Sequence, residues 1–169
     1  MNKQTVKKKK KTDSLIEELI YLIDQAFDKR AWHGTNLKGS IRGLKPKQAL
    51  WRPDSARHSI LEIVLHAAYW KYIVWRKITR QSHTSFGLKG SNWFNLYAIQ
   101  DESQWKEAVA LLVKYHSLLR QSIIDLPASV LSQKADKSKW RYLEFIVGIA
   151  SHDLYHAGQI QLLKRLQQK

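Results

Sequence analysis

The chain contains no cysteine in its 169 residues, which removes disulfides, thiolate metal ligands and a protein-borne sulfur nucleophile together. A nucleophile for any reaction must come from elsewhere, as a water or as the thiol of a co-substrate. Long apolar runs are missing too. No segment approaches the roughly 18 apolar residues of a membrane span, so no membrane association is expected. Behind a basic start, residues 14–27 carry Glu17, Glu18 and Asp24. That pattern argues against a secretory signal and makes the cytoplasm the expected compartment. Nor do β-branched residues alternate with polar ones over any useful length, so no sheet is expected.

What is present in excess is positive charge, +15 in all, of which Lys3 and the run Lys7 to Lys11 supply six. The remainder stays basic without them. A basic surface can be simple solvation, or it can attract nucleic acid, anionic lipid or an acidic small molecule. A lysine run buries too little apolar surface to offset its ordering entropy, so residues 1–11 are expected to form a disordered basic tail. Residues 12–169 then make one domain, large enough to bury roughly 70% of its unfolded surface and to fold without a disulfide or structural metal. Any metal it holds should serve function.

The rest reads as helices and loops. A first helix opens at Ser14, where Ser14 and Glu17 have capping-box spacing, and runs through Leu15, Leu19, Leu22, Ile23 and Phe27 to stop by Gly34. Gly39, Gly43, Pro46 and Pro53 make residues 35–53 a connector with one or two short helical turns. Ser59 and Glu62 form a second capping box for a helix reaching about Arg80 through Ile63, His66, Trp70, Ile73 and Lys77. The segment Gln81 to Gln100, with Phe86, Trp93, Phe94 and Tyr97, suggests a long loop packed down by its own rings. A third helix spans Glu102 to Leu126, ahead of Pro127, and a fourth about Ser138 to Leu166. Four principal helices without a sheet predict an all-α fold, a four-helix bundle.

Of seven histidines, His152 and His156 stand four apart, the spacing that puts two imidazoles on one helical face within reach of one ion. They lie on the stripe Phe145, Ile149, His152, His156, Ile160 and Leu163, which predicts that both rings face inward. His66 behaves alike in the stripe Ile63, His66, Trp70 and Ile73. Three neighbouring imidazoles in a core leave six ring nitrogens in need of partners, and charging them there is prohibitive. A divalent ion answers both demands, taking one nitrogen from each ring and leaving the other to an outer acceptor. Residues alone leave open the plainer reading, in which each is a hydrogen-bonded core histidine. His58 lies eight residues before His66, about 12 Å along a helix and too far to share an ion. His33, His83 and His116 have no partner at ligand spacing, and a surface or loop position is expected.

At these residues the sequence resembles the DinB-like, or YfiT-like, superfamily of metal-dependent four-helix proteins. The likeness covers nearly the whole chain after the tail and is carried by AWHGTNLKGSIRGL, RHSILEIVLHAAYWK and SHDLYHAGQIQLLKRL. It implies an up-down-down-up bundle, a homodimer, and His66, His152 and His156 as ligands of zinc, nickel or a similar ion, with water completing the coordination. Relatives include transferases and isomerases that use a low-molecular-weight thiol. A small-molecule electrophile as substrate follows from the same resemblance.

Such an ion, acting as a Lewis acid, would supply the nucleophile the side chains lack. Glu62, one turn before His66, can orient its second nitrogen or act as a base, or can simply be an exposed cap on Ser59. Gln159 can line the site, and Gly148 can leave room beside the metal or allow a close helix contact. The rival is a binding protein for nucleic acid or a protein partner, using the basic surface with Trp93 and Phe94. No nucleic-acid motif of the usual kinds supports it.

Overall fold

The computed structural model describes residues 13–94, 102–135 and 137–168. The lysine tail lies outside them, as do Tyr97 and Gln100 of the long loop. The elements are α1 (Ser14–Phe27), α2 (Leu37–Ser40), α3 (Pro46–Leu50), α4 (Ile60–Thr79), α5 (Glu102–Ile124), a 3-10 turn (Ala128–Val130) and α6 (Tyr142–Leu166). Among the described residues there is no strand, only a bridge between Lys134 and Arg141.

Helix α4 begins where its capping pair predicts. The Ser59 Oγ accepts from the Glu62 N–H, and the Ser59 N–H donates to Glu62 Oε2 at 2.8 Å. It stops at Arg80, which adopts the left-handed conformation at φ 56°. Helix α1 starts differently from expectation, because Asp13 caps it by accepting from the Leu15 N–H at 2.9 Å. A carboxylate one position earlier reaches the same free amides and faces the positive helix end, so Ser14 becomes the first helical residue. Helix α6 starts later than Ser138. The amides of Tyr142 and Leu143 donate to the carbonyls of Gln133 and Leu131, and Lys137 turns at φ 50°. The chain before Tyr142 therefore makes a turn, and Arg141, whose N–H donates to Glu144 Oε2 at 2.8 Å, caps the helix.

Of the four long helices, α4 packs on α5 and α6, and α1 packs on the same two. One apolar cluster gathers Phe27, Leu37, Ile60, Val64, Leu112 and Ile160, and another gathers Ile16, Ile23, Leu119, Ile123, Ile146 and Ala150. Helix α4 is enclosed, with every residue from Ile60 to Ala68 buried. Its cover includes the loop after it, since Phe86 and Phe94 set their rings 5.4 and 5.7 Å from Tyr69. Phe94 is thus core, and the rival reading loses one of its two aromatics.

Candidate metal centre

The three histidines singled out by spacing come together. His66 projects from α4, and His152 and His156 from successive turns of α6. Their ligand nitrogens all lie within 4.8 Å of one another. The Nε2 of His152 is 3.2 Å from that of His66 and 3.0 Å from that of His156. His66 and His156 are buried and His152 is partly so.

The outer nitrogens decide which atoms face inward as lone pairs. His66 Nδ1 sits 3.1 Å from the Asn92 carbonyl oxygen, and His156 Nδ1 sits 2.7 Å from Gln159 Oε1. Both oxygens accept, so both Nδ1 atoms carry the proton and both Nε2 atoms present bare lone pairs. A single proton on His152 Nε2 cannot satisfy two such neighbours in full. The donor set fits a cation: metal–nitrogen bonds of 2.0–2.1 Å in a tetrahedral arrangement place neighbouring nitrogens about 3.3 Å apart. The chain can hold a divalent ion here.

Stacked rings brace the cluster. Trp93 lies on His66 at 3.9 Å between centroids, and His58 lies on Trp93 at 3.7 Å. His58 is thus outside the cluster, as its distance along the chain implied, yet joined to it through an indole. Glu62 is buried rather than exposed at the helix start. Its Oε2 accepts from Ser59, while Oε1 pairs with Arg52 at 2.7 Å and approaches His58 Nδ1 at 3.7 Å. The Asn92 carbonyl, not Glu62, takes the second nitrogen of His66. Gln159 meets its expectation of lining the site. Replacing it by leucine removes the acceptor that fixes the His156 tautomer, and zinc affinity measured by chelator competition should fall about 10- to 100-fold. An unchanged affinity would show that this amide holds nothing in place.

Burial keeps the rings neutral. It pushes His66 down to about 4, against the Asn92 carbonyl, and His152 down to about 3, and it lowers His156 as well. In the unfolded chain the same rings protonate near 6.5. Below that pH the unfolded chain binds more protons than the fold, so this part of the stability is present above 6.5 and lost as pH falls through the folded values. Asp153, raised to about 6 by burial against the pull of Lys71, acts in the opposite direction from its unfolded value up to that pH. His116, pushed down to about 2 by burial and the Lys71 charge, acts in the same sense as the three clustered rings, and four rings outweigh one carboxyl. The melting temperature of metal-stripped protein should decline steadily from pH 7 to pH 5, and a flat profile would contradict this.

Two clefts of unlike chemistry adjoin the cluster. One, of about 360 Å³ between α4 and α6, is lined by apolar side chains with His152 and Gly148 in its wall. A Cβ on Gly148 would meet nothing within 4 Å, so this glycine opens space and makes no close helix contact. The other, of about 530 Å³, is more polar, with Arg57, His58, Trp93 and Gln159 in its lining. Through Trp93 the long loop borders this second cleft.

Spacing did not single out the charged layer beneath the site. Lys71 of α4 and Asp153 of α6 are fully buried and paired at 2.5 Å. His116 was expected at the surface or in a loop. It is instead buried on α5, stacked on Phe27 at 3.6 Å and 3.5 Å from Lys71 Nζ. The signal existed, since Leu112, His116, Leu119 and Ile123 recur at helical spacing on one face. His33 and His83 are exposed, as expected.

Among known families, one described as the DinB superfamily matches residues 29–160, a span that includes all three clustered histidines. No curated protein and no solved structure matches the chain.

Proposed function

The chain belongs to the DinB superfamily, and on that footing we propose that it is a divalent-metal enzyme, with His66, His152 and His156 as ligands, that transfers a low-molecular-weight thiol to a small electrophile. The observation that carries this is the convergence of three Nε2 atoms, two of them fixed as lone-pair donors by Asn92 and Gln159. Zinc and nickel both suit neutral imidazoles. Bound in the cluster, either ion would supply Lewis acidity at its open position, lowering the pKa of a thiol or water there.

The side chains have the remaining tasks. Asn92 and Gln159 hold two rings in the tautomer that ligates, and Trp93 covers one face of His66 and excludes water from it. Glu62 is a positioning residue, because one of its oxygens is committed to Ser59 and the other to Arg52. Two substrates need two subsites, and the polar and apolar clefts supply surfaces of the required kinds. The absence of cysteine leaves the thiol to a co-substrate. We further propose that the four long helices run up-down-down-up and that the protein works as a cytoplasmic homodimer, without nucleic acid as a partner.

The test is a transferase assay with several low-molecular-weight thiols and electrophiles, run beside hydrolysis assays on zinc- and nickel-loaded protein. Thiol-dependent turnover should appear, and kcat/KM should fall at least about 100-fold in His66→Ala, since removing a ligand exceeds the cost of removing an outer partner. Equal activity in both proteins rejects metal catalysis. Loaded protein inert with every thiol favours a binding protein.

A further inference from the structure

Resting on the metal reading above, we infer that the cleft between α4 and α6 is the seat of an uncharged apolar substrate tail, aryl or short alkyl, whose polar head faces the three imidazoles. Trp70 and Val74 wall the cleft on the α4 side, Phe145 and Ile149 on the α6 side, and Trp140 closes it from the turn before α6. Its volume of about 360 Å³ lies in the range of small-molecule sites. A charged tail would lose its hydration against these walls without a partner. The charged side chain in the lining, Glu144, is already engaged by the Arg141 amide and guanidinium at 2.8 and 3.0 Å.

Continuity with the cluster sets the orientation. His152 belongs to both, and the Trp70 indole stands edge-on to His66 and to His152, each at 6.4 Å between centroids. Trp70 is itself fixed, because its Nε1–H donates at 2.9 Å to the Asn92 side chain, while the Asn92 carbonyl holds His66. One loop residue therefore positions a wall of the cleft and a ring of the cluster together. At Gly148 the wall is bare, with nothing within 4 Å of the Cβ position, so any larger residue there would grow into the space.

The experiment is calorimetric titration of zinc-loaded, full-length protein with aceto-, butano- and hexanohydroxamate, whose heads ligate the ion and whose tails differ only in methylenes. Succinohydroxamate supplies a charged tail. Affinity should rise about fourfold per methylene, about 250-fold over the four methylenes from aceto- to hexanohydroxamate, and the charged tail should add nothing. In Gly148→Leu, which replaces a poor helix former and so folds, the gain with tail length should vanish while acetohydroxamate binds as before. Acetohydroxamate bound without any gain from longer tails, as when a second copy of the chain fills the cleft, overturns the tail seat and leaves the metal reading intact. A gain that persists in Gly148→Leu overturns its location. Failure of acetohydroxamate to bind zinc-loaded protein overturns the open-position reading and the tail seat with it.

Discussion

Changing His152 and His156 together to alanine should lower zinc affinity by more than about 1,000-fold, since loss of a single outer partner already costs about 10- to 100-fold and this variant loses two ligands. His66 alone then remains of the cluster, and one imidazole does not make a site. The fold should survive. Alanine is the strongest helix former and both positions lie within α6. Chelator competition reads the affinity, and thermal melts of the metal-stripped proteins verify folding. A folded double variant that binds zinc within tenfold of the parent would remove the basis of the metal assignment.

Lys71→Met should cost about 3–5 kcal/mol in the metal-stripped protein, because it leaves the Asp153 carboxyl in the core without its partner. At 2–4 °C per kcal/mol for a domain of this size, the melting temperature should fall roughly 6–20 °C. Both side chains of the pair are wholly buried, so solvent does not screen the loss. Lys71 also lies 4.9 Å from the Phe27 ring and 3.5 Å from His116, contacts that disappear with it. The double variant Lys71→Met, Asp153→Leu carries no stranded charge and should recover most of the loss. If single and double variants melt together well below the parent, the cost lies in packing and not in the uncompensated carboxylate.

These two experiments probe parts of the molecule that were unequally legible in its sequence. The three clustered histidines were readable because helical periodicity is a local property. His152 and His156 share a face by spacing alone, and His66 sits at a fixed place after the Ser59 cap. The depth at which α4 meets α6 is set by packing across the core, so only the structure brings the three Nε2 atoms together. The Lys71–Asp153 pair was hidden for the same reason. A charged residue reads as surface until its partner, 82 residues away, is found opposite it.

Loops were legible as loops and no further. Phe86, Trp93 and Phe94 marked a segment that packs on its own rings, but which indole would stack on His66, and which carbonyl would meet its Nδ1, depends on backbone turns that no periodicity encodes. Helix starts failed where a stronger local partner intervened. Asp13 displaced Ser14 as a cap, and the turn before α6 took the amides that an earlier start would have used. For His116 two local signals conflict: it has no partner at ligand spacing, which points to the surface, yet it shares the apolar stripe of Leu112, Leu119 and Ile123, and burial on that stripe prevails.

The central claim, that His66, His152 and His156 together hold a metal, is tested most directly by elemental analysis of untagged, full-length protein dialysed against zinc or nickel and then against metal-free buffer. The account predicts about one ion per chain, because three neutral imidazoles converge on one point. Folded parent protein that retains no stoichiometric metal would contradict it.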